Sequence, residues 1–139
     1  MIEFNYETDF SLHEENAYLN WIARIVESEN KVLGEITYVF CDDDYLHKIN
    51  VEYLNHDTLT DIISFDYSEG NVISGDIFIS IERVIDNAKE FNVSFDNELK
   101  RVMAHGVLHY CGFKDKSDAD VLLMRSKEEE KINMFHVKH

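Results

Sequence analysis

A chain of 139 residues suits one domain and can bury a sizeable core without disulfide or metal staples. Apolar residues make up 45% and charged residues 29%, a globular balance that argues against disorder. The formal net charge of -15 argues against a protein that coats nucleic acid with a basic surface. Any RNA contact then needs a local basic patch, a metal's charge or a partner that presents the substrate.

Residues 2–6 (IEFNY) alternate and predict a strand. Ser11 followed by Glu14 is a capping-box pattern that opens a helix to about residue 28. Tyr18, Trp21, Ile22 and Ile25 give that helix a buried stripe. Residues 33–41 (LGEITYVFC) read as a strand rich in β-branched and aromatic side chains. Asp42, Asp43 and Asp44 supply a helix N-cap and first-turn acids, ahead of Leu46, Ile49 and Tyr53. Residues 55–60 are polar and loop-like. Residues 61–67 and 75–81 read as strands joined through a turn at 68–71, either a hairpin or two adjacent strands. A helix follows over about 81–91, with Val84, Ile85, Ala88 and Phe91 inward.

Ser94 caps the next helix, which Asp96 and Glu98 suit at its positive end. It runs to about Cys111, and Gly112 is a natural stop. Ser117 with Asp120 starts a last, charged helix to about residue 134, followed by a fraying HVKH tail. Its KEEEK run, Lys127 to Lys131, reads as a solvated face. The sum is an α/β (α+β) fold over residues 1–139, a small mixed sheet covered by helices. Cys41 and Cys111 read as buried, reduced thiols of a cytoplasmic protein. The first ten residues carry no signal-peptide pattern, and no stretch of about 18 apolar residues exists to span a membrane.

The segment with chemistry is Met103 to Asp115. A spacing of four residues turns a helix by about 400°, so His105 and His109 share a face and can reach one ion. Gly112 lets the chain turn back and bring Asp115 toward that ion. Two histidines, a carboxylate and an open position make a catalytic type of site at the end of this helix. Zinc is the first expectation for the metal, and other divalent ions are compatible. The residue after His105 is Gly106, so the glutamate base of H-E-x-x-H zinc proteases is missing and peptide hydrolysis is disfavoured. His13, His47 and His56 read as surface histidines, and Tyr38, Phe40, Phe65 and Phe78 as core.

The pattern H-G-x-L-H-x-x-G-F resembles the YbeY family of bacterial rRNA-maturation endoribonucleases. Two further blocks agree. Asn50, Tyr53, Asp57 and Thr60 to Phe65 resemble the region ending in the family's T-D-V-L-S-F strand. Gly75 to Ser80 resembles its G-D-I-x-I-S strand. The resemblance implies a metal-dependent hydrolase of the cytoplasm that cuts single-stranded rRNA or its precursor. It implies contact with the ribosomal subunit or assembly proteins, and neither membrane nor DNA as a partner. It makes His105 and His109 metal ligands. It also places Asp57 and Asp61 near the metal, where either could orient a histidine or assist proton transfer. Ser64 could bind a phosphate oxygen or satisfy strand backbone.

Three positions depart from the family's pattern. Asp115 stands where the family carries its third histidine ligand, with Asp118, His136 and His139 as alternative donors. Leu54 stands where it often carries an arginine, and Leu59 where it carries a proline. A guanidinium would clamp a phosphate, and Leu54 cannot. Lys114, Lys116 or Arg101 could substitute. The acidic charge and Leu54 also fit a second reading, a ribosome-assembly binding module with a structural or vestigial metal.

Overall fold

The computed structural model describes residues 1–135. The HVKH tail, with His136 and His139, lies outside the described residues. The elements run β1 (Ile2–Tyr6), α1 (Glu15–Ser28), β2 (Val32–Cys41), α2 (Asp43–Leu54), β3 (Ile62–Asp66), β4 (Val72–Ser80), α3 (Ile81–Glu90), α4 (Phe95–Tyr110) and α5 (Asp118–Phe135). The fold is α+β, with a mixed sheet in the order β1-β2-β4-β3. Strands β1, β2 and β4 are parallel, and β3 runs antiparallel to β4 at the edge. The choice left open by the sequence is thereby decided: β3 and β4 form a hairpin. Strand β4 starts at Val72 rather than Gly75.

Alternation sorts the strand residues onto two faces. Ile36, Tyr38 and Phe40 of β2 and Ile73, Ile77 and Ile79 of β4 enter the main core with the apolar faces of α1, α3 and α4. Cys41, Ile63, Phe65 and Phe78 face the other way, into a smaller cluster under Leu46 and Ile49 of α2. The register Ser64↔Ile77 puts Ser64 on the α4 side of the sheet.

Several local expectations need correction. Glu14 sits in left-handed backbone at φ 63° with no side-chain cap bond, so the capping box at Ser11 does not form. Leu12 is buried instead, its N–H donating to the Tyr6 hydroxyl at 3.3 Å, and that anchor delays the helix to Glu15. Tyr53, Ile85 and Phe91 are exposed. Helix α3 packs through Ile81, Val84 and Ala88 alone, a stripe too narrow to take in Ile85. Cys111 is half-buried rather than buried, while burial pushes the Cys41 thiol up to about 12. The caps at Asp42, Ser80 and Ser94 form, each accepting the backbone N–H three residues on.

Helix α4 is buried on nearly every side, from Leu99 through Tyr110, with His105 and His109 on its less covered face. Its approach to the sheet needs Gly106. A Cβ there would stand 2.9 Å from Ile77 Cδ1 and 3.2 Å from Ile62 Cδ1. Alanine would gain about 1 kcal/mol of helix propensity and lose about 1–3 kcal/mol to overpacking. Gly106→Ala should therefore lower stability by about 1 kcal/mol in urea denaturation with an unchanged m value. A stabilised variant would refute the close approach.

Candidate metal centre

Helix α4 presents His105 and His109 on one face, their ring centroids 4.7 Å apart and their planes at 81°. The helix ends at Tyr110, and Gly112 takes φ 107°, a conformation that glycine adopts without steric cost. The turn carries Asp115 back over the helix end. Asp115 Oδ2 then lies 3.3 Å from His105 Nε2 and 3.3 Å from His109 Nε2. Among the described residues these three form a group able to hold a metal ion, all three ligand atoms lying within 4.8 Å of one another.

The spacing fits a metal better than it fits hydrogen bonds. A charge-assisted N–H···O bond is about 2.7–2.9 Å long. Two ligands of a tetrahedral zinc with bonds of about 2.0–2.1 Å stand about 3.3 Å apart. Side-chain exposure rises from 16% at His105 to 33% at His109 and 42% at Asp115, so the group opens to solvent on the Asp115 side. Three protein donors with an open face is the arrangement of catalytic rather than structural zinc sites.

The group forms one wall of a cleft of ≈ 370 Å³. Thr60, Asp61, Ile62 and Ser64 line the opposite wall, on the loop before β3 and on β3 itself. The sequence-derived candidates Asp61 and Ser64 therefore share a cleft with the histidines and Asp115. Ser64 also touches the Tyr110 phenol, whose pKa burial raises and Asp66 raises further, while Ser64 lowers it. Asp61 does not orient a histidine: its carboxylate lies 3.5 Å from Arg101 Nη2. Exposed Asp57 meets half-buried His47 at 2.7 Å, away from the metal group. Asp118 stands outside the donor cluster.

Two assignments of charge are overturned. The KEEEK run is not a wholly solvated face: Glu128 and Lys131 are buried, at 2% and 1% exposure. Glu128 Oε2 lies 2.7 Å from His105 Nδ1, in the place where Asp57 or Asp61 was expected. Arg101 faces the cleft but is already engaged. It holds Glu98 through bonds of 2.9 and 2.8 Å and lies within 3.5 Å of Glu128 and Asp61. Burial opposes its charge, and the Glu98, Glu128 and Asp61 carboxylates overcome that, raising its pKa further. It is not a free phosphate clamp. Leu54 is exposed at the end of α2 and lines a neighbouring hollow with Thr60 and Ser64. Lys114 and Lys116 flank Asp115 and are exposed.

An α+β fold with a His-His-Asp group on an open cleft has clear relatives. The family described as Endoribonuclease YbeY matches residues 3–136. A Flavobacterium johnsoniae protein of that name is 74% identical over 137 residues, covering 99% of both chains. One from Christiangramia forsetii is 62% identical over 136 residues, covering 98% of this chain and 95% of the relative. A Thermotoga maritima protein solved in solution superposes with a TM-score of 0.72 at 28% identity, covering 97% of this chain and 89% of that one. The chain belongs to the Endoribonuclease YbeY family.

Proposed function

We propose that this chain is a metal-dependent endoribonuclease that cuts single-stranded RNA in rRNA maturation, with His105, His109 and Asp115 as metal ligands. The observation that carries the reading is the convergence of two imidazole Nε2 atoms on one Asp115 oxygen at zinc-like spacing. Zinc is the metal proposed. When bound it would acidify a water and polarise a phosphoryl oxygen. Its charge also answers the -15 of the chain, which would otherwise repel a phosphate backbone.

The chain's own groups divide the remaining work. The Ser64 hydroxyl donates to a phosphate oxygen from the β3 wall. Asp61 accepts a proton at its carboxylate, which lies 3.5 Å from Arg101 Nη2. Lys114 and Lys116 are the exposed cations for the RNA backbone, in place of the arginine that Leu54 replaces. Ribosomal subunits or assembly proteins are the proposed partners, and the cytoplasm the proposed location. Among the described residues no helix is long and apolar enough to cross a membrane.

The test is cleavage of a single-stranded RNA by the purified protein. Chelator should abolish it, and added zinc should restore it. Zinc-loaded protein that cuts no RNA but retains ribosomal components would replace this reading with that of an assembly module. The -15 charge gives that reading its physical basis, because it suits basic ribosomal proteins. Such contacts should weaken as salt rises.

A further inference from the structure

Helix α5 brings a buried acid beneath the metal group. Met124, Glu128 and Lys131 are its buried residues, at helical spacing, so Glu128 points into the protein on the stripe that docks the helix. Its Oε2 meets His105 Nδ1 at 2.7 Å, the length of a charge-assisted bond. One turn earlier on α4, Arg101 Nη1 approaches its two oxygens at 3.4 and 3.5 Å. Arg101 is in turn held by Glu98, another buried acid, on its own helix. Glu128 is thus fixed by contacts that do not involve His105.

A carboxylate can only accept, so this contact draws the proton of a neutral imidazole to Nδ1. The lone pair is then left on Nε2. That atom stands 3.3 Å from Asp115 Oδ2, which also has only lone pairs to offer. Facing lone pairs repel, and a cation between them turns the repulsion into coordination. His109 has no such support among the described residues: its contacts there are Asp115 and the His105 ring. The two histidines are therefore unequal, one anchored and less exposed, the other held at the rim.

We infer that Glu128 is a positioning residue of the metal centre. It holds His105 as the Nδ1–H tautomer with Nε2 presented to the ion, and Arg101 holds Glu128. This rests on the metal reading given above. An ion pair that merely docks α5 on α4 would leave metal affinity independent of Glu128. A positioning acid makes the affinity depend on it, by about 10–100-fold where such outer partners are removed.

Glu128→Gln keeps the volume but offers one acceptor and one donor. Its amide can satisfy His105 Nδ1–H only by turning its NH₂ toward the Arg101 guanidinium. Zinc competition against a chromophoric chelator should show affinity about 10–100-fold below wild type. The ¹⁵N signals of His105 in the metal-free wild type, at a pH where imidazole is neutral, should show the proton on Nδ1. In the variant that signature should weaken. A folded Glu128→Gln with wild-type zinc affinity overturns the inference, and so does a wild-type His105 that carries its proton on Nε2. If the variant does not fold, the wild-type tautomer decides. A wild type that binds no zinc overturns the metal reading itself, while the tautomer still decides the role of Glu128.

Discussion

His109→Ala should abolish zinc binding and lower RNA cleavage by about 10³-fold or more, roughly 4 kcal/mol of lost transition-state stabilisation. The fold should survive it. His109 lies at the rim with its side chain 33% exposed, and among the described residues its side chain meets Asp115 and the His105 ring, both within the site. A substitution of that kind costs about 0.5–1 kcal/mol of stability. Loss of activity with an intact thermal transition is thus the expected pair of results. Asp115→Ala belongs in the same series. It removes the carboxylate that both Nε2 atoms face and should cut metal content as His109→Ala does, with the turn at Gly112 unaffected. Metal analysis of the two purified variants beside wild type checks both. Full zinc stoichiometry in folded Asp115→Ala would remove Asp115 from the site.

The parts of this molecule that were legible in its sequence are those where a local rule and the tertiary structure agree. The α1 stripe of Tyr18, Trp21, Ile22 and Ile25 is buried as its spacing requires, because one helix face meets one core. The H-G-x-L-H helix, its stop at Gly112 and the return of Asp115 follow from helix geometry and one glycine. The caps at Asp42 and Ser94 work because, among the described residues, no distant partner competes for those side chains. Where the core intervenes, the local rule fails. The Ser11–Glu14 pattern is a sound cap in isolation, yet burial of Leu12 against Tyr6 holds the chain out of helix there. Ile85 and Phe91 are apolar at helical spacing but stay exposed, because α3 meets the protein along a narrow stripe.

The largest miss concerns charge. In α5 the buried stripe is Met124, Glu128 and Lys131, so hydrophobic periodicity carries almost no signal for it. A helical wheel that tracked the spacing from Met124 rather than the residue type would have placed Glu128 inward. The physical cause is that both charges bring partners with them. Lys131 Nζ meets Glu29 at 2.6 Å and Ser28 at 2.9 Å, and its carbonyl accepts from Trp21 Nε1. Glu128 meets His105 and Arg101. A sequence shows the charges and hides the partners, which lie on other elements. Arg101 reads in the sequence as a substitute phosphate clamp, and two of the three carboxylates that engage it, Asp61 and Glu128, lie far along the chain.

Arg101→Ala should be the most destabilising single change in this network. Glu98 and Glu128 keep 2% of their side-chain surface exposed, and the guanidinium is the cation they share. Removing it leaves two buried carboxylates without that partner and close to Asp61, a third acid on the cleft wall. Breaking a buried pair in this way costs about 3–5 kcal/mol, more than the pair adds over an apolar substitute, because the stranded charges keep their desolvation penalty. For a domain of this size that is a fall in Tm of about 10–20 °C, read by circular dichroism. Glu98→Gln added to Arg101→Ala should recover part of the loss, since it removes one stranded charge. The coupling between the two substitutions should then be far from additive. Additive effects, or a Tm within about 3 °C of wild type for Arg101→Ala, would mean that water reaches these carboxylates and that the network does not hold α4 and α5 together. The result also bears on the metal centre. Arg101 braces both oxygens of Glu128, including the Oε2 that meets His105, so a folded Arg101→Ala protein should bind zinc more weakly although no metal ligand has been altered.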